Sequence, residues 1–369
     1  MARVVLYVVS TLARAGPVNV LAEIVHHLDR SRYRAVIATL SAEPDNSRMA
    51  DLQAEGIAVR QLNLSRSNSF LFGPGRLKNL AREVAACIMH THGFRADALA
   101  RLARPQCPLV STLHCNPARD YQLAYGVISG RLMAACQYQA LKRFDAVVTV
   151  AEGVAESAFG AGVASRVIPN GVDLGTFRPP ADQEEIGRVR RRLGWPQDAA
   201  LLLHTGTLID RKNPIEVVRG FRSSGLGRSW FLAIAGDGPL RARCEMAAQG
   251  DSRVIFLGAR SDVADLLKGA DILVSNSSEE GFPLALLEGC ATGVHILASR
   301  IPAHERIREL FPEQVTLYSL GGEGSLARAL DELGCANRRR VICPPADALG
   351  KISGRTMSRQ YQDLYDALT

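Results

Sequence analysis

The chain has 369 residues, of which 47% are hydrophobic, 22% charged and 6% aromatic, and its formal net charge is +7. This length exceeds what one hydrophobic core usually supports and predicts two domains, while the composition excludes a disordered chain and a fibrous repeat. Residues 1–175 hold a net charge of +6, which suits an anionic membrane surface, a phosphorylated acceptor or a solubilising surface; without a recognisable binding motif, a nucleic-acid partner is not expected.

Short apolar runs alternate with helical patterns through the first half of the chain. The run 4–9 follows a single arginine and lacks a cleavage pattern, so it predicts a buried strand rather than a signal peptide. Further strands are predicted at 33–40, 59–64, 87–92, 108–114, 146–151 and 165–173, and helices at 18–28, 48–55, 77–86, from 96 and up to about 144. The alternation predicts a parallel sheet covered by helices on both faces.

A glycine- and proline-rich stretch separates this half from a second one. Residues 175–182 are predicted to be a linker, after which a helix begins near Gln183. The pattern then resumes, with strands predicted at 201–206, 230–236, 253–258, 271–275 and 295–299. We therefore expect an α/β protein with two Rossmann-like domains, 1–174 and 183–350, a ligand-binding cleft between them, and an amphipathic helix within 351–369.

The eight cysteines form no CxxC pair and have no zinc-ligand spacing to a histidine. In a chain without an export signal this predicts reduced thiols that serve as small apolar side chains in a cytoplasmic protein. A metal site is not expected.

The segment SNSSEEGFPLALLEG (275–289) holds the most informative residues. A polar loop with Glu279 and Glu280 leads into an apolar helix that contains Glu288. The spacing, about 12 Å of helical rise, predicts one carboxylate at the helix mouth and the other two turns in, with free N–H groups between them for a phosphate. A capped helix with an acidic first turn is the alternative for Glu279 and Glu280, whereas Glu288 is predicted to be a buried carboxylate.

Two further loops of the second half follow strands. The segment TGTLIDRKNP presents Arg211 and Lys212, which can neutralise a diphosphate, although a solvated face explains Arg211 equally well. In AGDGPL, Gly236 and Gly238 allow a close approach of the backbone.

Three histidines end apolar strands of the first half: His90, His92 and His114. Each one either contacts a ligand or is a core histidine with its hydrogen bonds satisfied, and the sequence leaves both possibilities open.

Together these segments resemble glycosyltransferase family 4, whose members are retaining enzymes of the GT-B fold. The resemblance covers essentially the whole chain and rests on short motifs in the expected order: AGPVNVL (15–21), IPNGVD (168–173), GTLIDRK (206–212), GDGPL, FLGARSDV (256–263), EGFPLALLE (280–288) and GCATG (289–293). It implies a terminal helix that packs towards the first domain. It also implies transfer of a sugar from a nucleotide-diphosphate-sugar, and a UDP- or GDP-sugar is the expected donor. Neither a metal nor another cofactor is expected.

The resemblance also implies roles for individual residues. The implied catalytic residues are His114 at the reacting sugar, Glu280 on the donor sugar's hydroxyls and Lys212 at the diphosphate. The implied donor-binding residues are Arg211, Lys212, Gly236, Gly238, Arg260 beside the base, Glu280, Gly281, Phe282, Pro283, Leu284, and Glu288 on the ribose. The implied acceptor-side residues are Gly16, Pro17, Asn19 and His92. Thr207 stands where the family usually has an arginine, and Ala15–Gly16–Pro17 replaces its usual double glycine.

The basic first domain favours an acceptor near a membrane. The helical stretch 121–144 places Arg131, Lys142 and Arg143 among apolar residues, so it either lies on a membrane surface or is a core helix. A glycan or lipid-linked glycan of the bacterial envelope is the expected acceptor, and the protein is expected in the cytoplasm with peripheral contact to the anionic inner face of the membrane. The second hypothesis is an inactive GT-B protein that only binds a nucleotide or sugar. The absence of GxGxxG and GxSxG excludes a dinucleotide oxidoreductase and a serine hydrolase.

Overall fold

The computed structural model describes residues 2–65, 68–321, 324–336 and 341–369. The chain divides into two compact units, one made of Met1–Gly171 with Gly354–Thr369 and the other of Val172–Ser353. Each unit is built on its own parallel sheet, which confirms the predicted α/β class with two Rossmann-like domains. The predicted linker 175–182 belongs to the second unit.

The strands of both sheets come from the apolar runs of the sequence. The first unit contains β1 (Arg3–Val9), β2 (Tyr33–Thr39), β3 (Ala58–Gln61), β4 (Ala86–His92), β5 (Leu109–Leu113), β6 (Ala146–Thr149) and β7 (Arg166–Val167). The second contains β8 (Ala200–Thr205), β9 (Trp230–Ala235), β10 (Val254–Gly258), β11 (Ile272–Ser275), β12 (His295–Ser299) and β13 (Val315–Tyr318). The strand orders are β3-β2-β1-β4-β5-β6-β7 and β10-β9-β8-β11-β12-β13.

Helices connect these strands and cover the sheets. In chain order they are α1 (Gly16–His26), α2 (Met49–Ala54), α3 (Ser69–Glu83), α4 (Phe94–Ala103), α5 (Pro117–Tyr125), α6 (Val127–Leu141), α7 (Glu152–Gly160), α8 (Gln183–Leu193), α9 (Pro214–Ser223), α10 (Arg241–Ala248), α11 (Val263–Gly269), α12 (Leu284–Thr292), α13 (Pro302–Leu310), α14 (Ser325–Ala336), α15 (Ala346–Lys351) and α16 (Gly354–Leu368). A short 3-10 helix, Asp210–Lys212, precedes α9.

Three sequence-based predictions need correction. Strand β13 was not predicted, and the predicted strand 165–173 contains only the two residues of β7. Helix α3 begins at Ser69, eight residues before the start predicted for it, because its first turns carry an apolar FLF run that faces solvent rather than the core. Exposed apolar residues break the periodicity from which helix limits are predicted.

The helical stretch 121–144 is a hairpin of two helices rather than one. Gly126 separates α5 from α6 with a φ of 83°, a conformation that glycine adopts without steric cost. The two helices pack closely at Gly130, where a Cβ atom would lie 2.4 Å from the backbone of Tyr121. The opposite face of α6 is open, and Ile128 is 85% exposed.

The carboxyl-terminal helix α16 is part of the first unit and is held there by buried polar contacts. Tyr365 Oη lies 2.7 Å from Nδ1 of His90, and Thr112 Oγ1 lies 2.9 Å from its Nε2. The Tyr361 hydroxyl lies 2.9 Å from the same threonine oxygen. Both nitrogens of His90 are therefore engaged, and of the two interpretations of this histidine the core one is correct.

A buried carboxylate, for which the described residues provide no cationic partner, lies behind β4 and β5. Asp97 accepts hydrogen bonds from the hydroxyls of Thr91 and Ser111 at 2.5 and 2.8 Å, and from the amide of Gln137 at 2.6 Å. Gln137 in turn accepts from the Tyr121 hydroxyl at 2.7 Å. Burial raises the pKa of Asp97 to about 6 in spite of these hydrogen bonds.

This pKa predicts a pH-dependent stability for the first unit. Because the folded state binds the Asp97 proton more tightly than the unfolded chain, whose ordinary pKa is 3.8, the contribution of Asp97 to the free energy of unfolding should fall as pH rises from about 4 to about 6 and then level off. The buried histidines of this unit, whose pKa values are lowered, contribute in the opposite direction. The Asp97 contribution is therefore the difference in pH dependence between the protein and Asp97→Asn, whose side chain does not titrate and can donate to a reversed Gln137 amide. Hydrogen exchange of β4 and β5 across this pH range measures this difference. Asp45→Asn, at an exposed acid, is the control, and an equal change of slope there would contradict the assignment.

Candidate active site

In the second unit, hydrogen bonds join the loops that follow β8 and β11. The Asn213 amide donates to the Asn276 carbonyl at 3.1 Å, and the Ser278 backbone N–H donates to the Arg211 carbonyl at 2.9 Å. Strands β8 and β11 are neighbours in the sheet, so their carboxyl ends bring the two loops to one edge. The loops therefore form one structural element.

Glu280 lies at the centre of this element. Its side chain is 7% exposed; Oε1 is 2.6 Å from Lys212 Nζ and Oε2 is 2.5 Å from the Arg211 guanidinium. The Ser277 hydroxyl donates to Oε1 at 2.8 Å. Burial alone would raise the pKa of this carboxyl, but Lys212 and Arg211 hold it at about 2. Glu280 is thus an ionised, buried carboxylate between two cations.

These contacts exclude two alternatives left open by the sequence. Arg211 does not lie on a solvated face, because its side chain is 22% exposed and also donates to the Glu279 carbonyl at 2.8 Å. The motif is also not a helix with an acidic first turn, because α12 begins only at Leu284 and has no acid there.

The carboxylate spacing was also predicted incorrectly. Since Glu280 precedes α12 by four residues, Glu288 lies one turn into the helix rather than two turns beyond a carboxylate at its mouth. The Glu288 side chain is half-buried rather than enclosed. The residues between them differ in burial, since Gly281, Phe282 and Pro283 are buried and Leu284 is half-buried.

The glycine loop after β9 packs backbone to backbone against the loop after β8. A Cβ atom on Gly236 would lie 1.9 Å from the Gly206 carbonyl oxygen, and one on Gly238 would lie 2.7 Å from the Leu208 oxygen. The Leu208 backbone N–H donates to the Asp237 backbone carbonyl at 2.9 Å. Both glycines therefore have a packing requirement that does not depend on a ligand.

Arg260 follows β10, at the edge of the same sheet. It is exposed and forms a bidentate ion pair with Asp262, in which Nε and Nη2 of the guanidinium lie 2.8 and 2.6 Å from the two carboxylate oxygens. Thr207, where the family usually has an arginine, is exposed as well.

Glu280, Lys212, Arg211 and Ser277 together are called the Glu280 group below. Two buried histidines near this group were missed by the sequence analysis. Nδ1 of His204 donates to the Val274 carbonyl at 3.0 Å, and Nδ1 of His304 donates to the Ser299 carbonyl at 2.7 Å. Burial lowers the pKa of each to about 4. His204 ends a strand, which is the kind of signal used for the other histidines, whereas His304 lies five residues beyond β12 and carries no such signal.

In the first unit, His92 and His114 line a cavity of about 260 Å³ at the carboxyl ends of β1, β4 and β5. Nδ1 of His92 lies 2.9 Å from Nε2 of His114. Burial lowers the pKa of His114 to about 4 and that of His92 well below its ordinary value. Both rings are therefore neutral.

The loop after β1 contributes part of the same cavity. Pro17 lines it together with Ala15, at the start of α1. A Cβ atom on Gly16 would meet open space, and the Asn19 amide oxygen accepts from Arg48 at 3.2 Å. The structure thus brings Pro17, His92 and His114 together, and Asn19 is engaged with a neighbouring side chain.

Both halves of the chain match known families. Residues 14–176 match the Glycosyltransferase Family 4 model, and residues 185–316 match the glycosyl transferases group 1 model. The chain belongs to the family 4 type of glycosyltransferase. Its GT-B fold and its membership of a glycosyltransferase family, both implied by the resemblance, are thereby confirmed.

Bacterial relatives show how far the similarity extends. The chain is 33% identical over 142 residues to UDP-Gal:alpha-D-GlcNAc-diphosphoundecaprenol alpha-1,3-galactosyltransferase of Escherichia coli, a match that spans 37% of this chain and about a third (36%) of that protein. It is 26% identical to alpha-monoglucosyldiacylglycerol synthase of Streptococcus pneumoniae, over 90% of this chain and 78% of the relative. Identity to the O-antigen biosynthesis glycosyltransferase WclY of Escherichia coli is 21%, over 98% of each protein.

Solved structures share the fold at low sequence identity. Anabaena HepE in complex with UDP-glucose has a TM-score of 0.82 at 17% identity, over 99% of this chain and 100% of that one. WaaG, a glycosyltransferase involved in lipopolysaccharide biosynthesis, has a TM-score of 0.71 at 16% identity, over 99% of each chain. Across the residues that the structure describes here, no helix has the length and apolar character needed to cross a membrane.

The ion pairs of Glu280 predict a specific loss of stability in the second unit. Glu280→Gln leaves the two cations without their buried counter-charge and should lower the free energy of unfolding by about 3 kcal/mol. Both tryptophans, Trp195 and Trp230, are buried in this unit, so their fluorescence during urea unfolding follows it. Glu309→Gln is the control, because it removes an exposed ion pair with Arg306 in the same unit, and exposed pairs contribute little to stability; equal losses in the two variants would contradict the role of the buried ion pairs.

Proposed function

We propose that the protein is a retaining, metal-independent glycosyltransferase that moves a sugar from a UDP- or GDP-sugar to a glycan or lipid-linked glycan acceptor. The Glu280 group carries this proposal, since it unites a carboxylate for sugar hydroxyls with cations for a diphosphate. Relatives named for a UDP-galactose or a GDP-mannose donor support the donor class, and those named for O-antigen or glycolipid synthesis support a role in the bacterial envelope.

The charge and hydrogen-bonding capacity of this group suit a sugar diphosphate. Two cations share one carboxylate, so the three side chains sum to a charge of +1, which attracts a diphosphate. A carboxylate has about four lone-pair sites; Lys212, Arg211 and Ser277 occupy three of them among the described residues, which leaves one for a sugar hydroxyl. Helix α12 has no side-chain cap, so its first N–H groups can donate hydrogen bonds to a phosphate oxygen.

The remaining roles implied by the resemblance form part of the proposal. Glu288, half-buried on α12, would bind the ribose, and Arg260 would lie beside the base. His114 would act at the reacting sugar, with Pro17 and His92 on the acceptor side of the reaction. The close loop packing at Gly236 and Gly238 would hold backbone groups against the diphosphate.

The proposed reaction exchanges one glycosidic bond for another on the same face of the sugar. The bond between the anomeric carbon and the diphosphate oxygen breaks, and a bond to the acceptor hydroxyl oxygen forms. The acceptor's proton passes to the departing phosphate oxygen, so the protein need not supply a general base. The negative charge that builds up on that phosphate would be stabilised by Lys212, Arg211 and the start of α12.

A nucleotide-binding panel tests the donor site. UDP, GDP, dTDP, ADP and CMP are each added with EDTA present, and thermal unfolding is followed. A ligand at 100 times its dissociation constant should add about 2.7 kcal/mol of stability. We expect either UDP or GDP to raise the unfolding temperature. Glu288→Gln should abolish this increase, whereas Glu279→Gln, at a neighbouring acid, should keep it.

Turnover separates the enzyme from the inactive alternative. The matching nucleotide-sugar is supplied with envelope lipid extract, and the new linkage is examined by NMR for retained anomeric configuration. Nucleotide binding without any transfer or donor hydrolysis would favour the protein that only binds its ligand, and an inverted linkage would overturn the retaining mechanism.

We also propose that the first unit contacts an anionic membrane surface through the α5–α6 hairpin. Ile128 and Leu132 on α6 are 85% and 65% exposed, and the exposed Arg131 lies between them in sequence. Exposed apolar side chains beside a cation suit insertion at the level of lipid headgroups. The net charge of +6 on residues 1–175 adds long-range attraction.

Vesicle flotation tests this contact. The protein should float with vesicles containing phosphatidylglycerol and less with neutral phosphatidylcholine vesicles, and Ile128→Glu with Leu132→Glu should reduce flotation about tenfold. Phe159→Glu is the control, since Phe159 is 78% exposed on α7, a helix that contains acidic residues. Unchanged flotation of the hairpin variant would contradict this surface.

A further inference from the structure

The two histidines of the first unit form a pair whose proton positions the structure constrains. Nδ1 of His92 and Nε2 of His114 are 2.9 Å apart, so one of these nitrogens donates and the other accepts. Because both rings are neutral, each carries a single N–H. The direction of this one hydrogen bond therefore fixes the proton positions of both rings.

The other nitrogen of His92 decides the direction. Nε2 of His92 is buried and has no hydrogen-bond partner. If His114 donated to His92, the proton of His92 would lie on Nε2 and form a buried, unpaired N–H, which native structures rarely contain. If His92 donates from Nδ1, its Nε2 retains only a lone pair.

Donation by His92 leaves His114 with one possible arrangement. Its Nε2 accepts, so its proton lies on Nδ1, for which the described residues provide no partner. His114 is half-buried and lines the cavity of about 260 Å³, so this N–H is available to a ligand there. The cavity also has hydroxyl side chains in its wall, those of Ser10, Thr11, Thr112 and Tyr121.

We propose that His92 is a positioning residue that makes His114 a neutral hydrogen-bond donor, through Nδ1, to an oxygen atom of the reacting sugar. This inference rests on the proposed function and deepens it, because it distinguishes a donor from a proton acceptor at His114. An imidazole that presents N–H cannot take the proton of an acceptor hydroxyl. That agrees with a reaction in which the departing phosphate receives that proton.

The surroundings of His92 keep its ring in place for this task. Its ring centroid lies 4.5 Å from that of His90, whose two nitrogens are held by Tyr365 and Thr112. Tyr7 packs near both rings, with its ring centroid 5.4 Å from that of His90 and 6.4 Å from that of His92. His92 thus lies against a ring that cannot rotate without breaking buried hydrogen bonds.

Nitrogen-15 NMR of the histidine-labelled protein tests the proton positions without ligand. The chain has eight histidines, and His92→Asn and His114→Gln assign the two signals. We expect protonated Nδ1 and unprotonated Nε2 in both His92 and His114. A proton on Nε2 of either ring would overturn the proposal. This result does not depend on finding a substrate, so it fails or holds separately from the proposed function.

Kinetics of two His92 variants test the consequence for transfer. Asn places an amide donor near the position of Nδ1, so His92→Asn should retain kcat within about threefold, whereas His92→Leu should lose about 10–100-fold. KM for the donor should change little in both, and the His114 signal should show Nε2 protonated in the leucine variant only. Equal losses of kcat in two folded variants would show that His92 only fills space.

Discussion

One buried negative charge organises the second unit. Removing the Glu280 carboxylate from water costs several kcal/mol unless cations and hydrogen-bond donors surround it, and Lys212, Arg211 and Ser277 supply them. Because those partners come from two different loops, satisfying the charge also fixes the loops to each other. The contacts that stabilise the buried carboxylate therefore also determine the shape of the candidate donor site.

The buried polar centre of the first unit is arranged by hydrogen bonds, and ion pairs of that unit, such as Arg3 with Asp366, lie in partly exposed positions. This centre holds neutral imidazoles and tyrosine hydroxyls, together with the Asp97 carboxyl group, each hydrogen-bonded to a neighbouring side chain. Neutral groups avoid the cost of burying charge, but they have to be matched donor to acceptor. Nε2 of His92, for which the described residues provide no hydrogen-bond partner, is for this reason informative about chemistry.

The sequence predicted most of the sheets, because buried parallel strands appear as continuous apolar runs and eleven of the thirteen strands fall close to a predicted range. It also singled out the loop containing Glu280, since carboxylates after a strand stand out. It could not predict the partners, because Arg211 and Glu280 lie 69 residues apart and meet only through strand order. The burial of Glu288 was overestimated for a related reason: an apolar run on a helix of nine residues still has one face towards solvent.

Helix α16 completes the first unit from the far end of the chain. The segment that ends at Gly171 contains the whole sheet, yet His90 obtains a partner for Nδ1 only from Tyr365. On the ribosome, the second unit emerges before that partner does. The polar centre of the first sheet therefore stays incomplete while almost two hundred further residues are synthesised. The unit that is synthesised first is the one that is completed last.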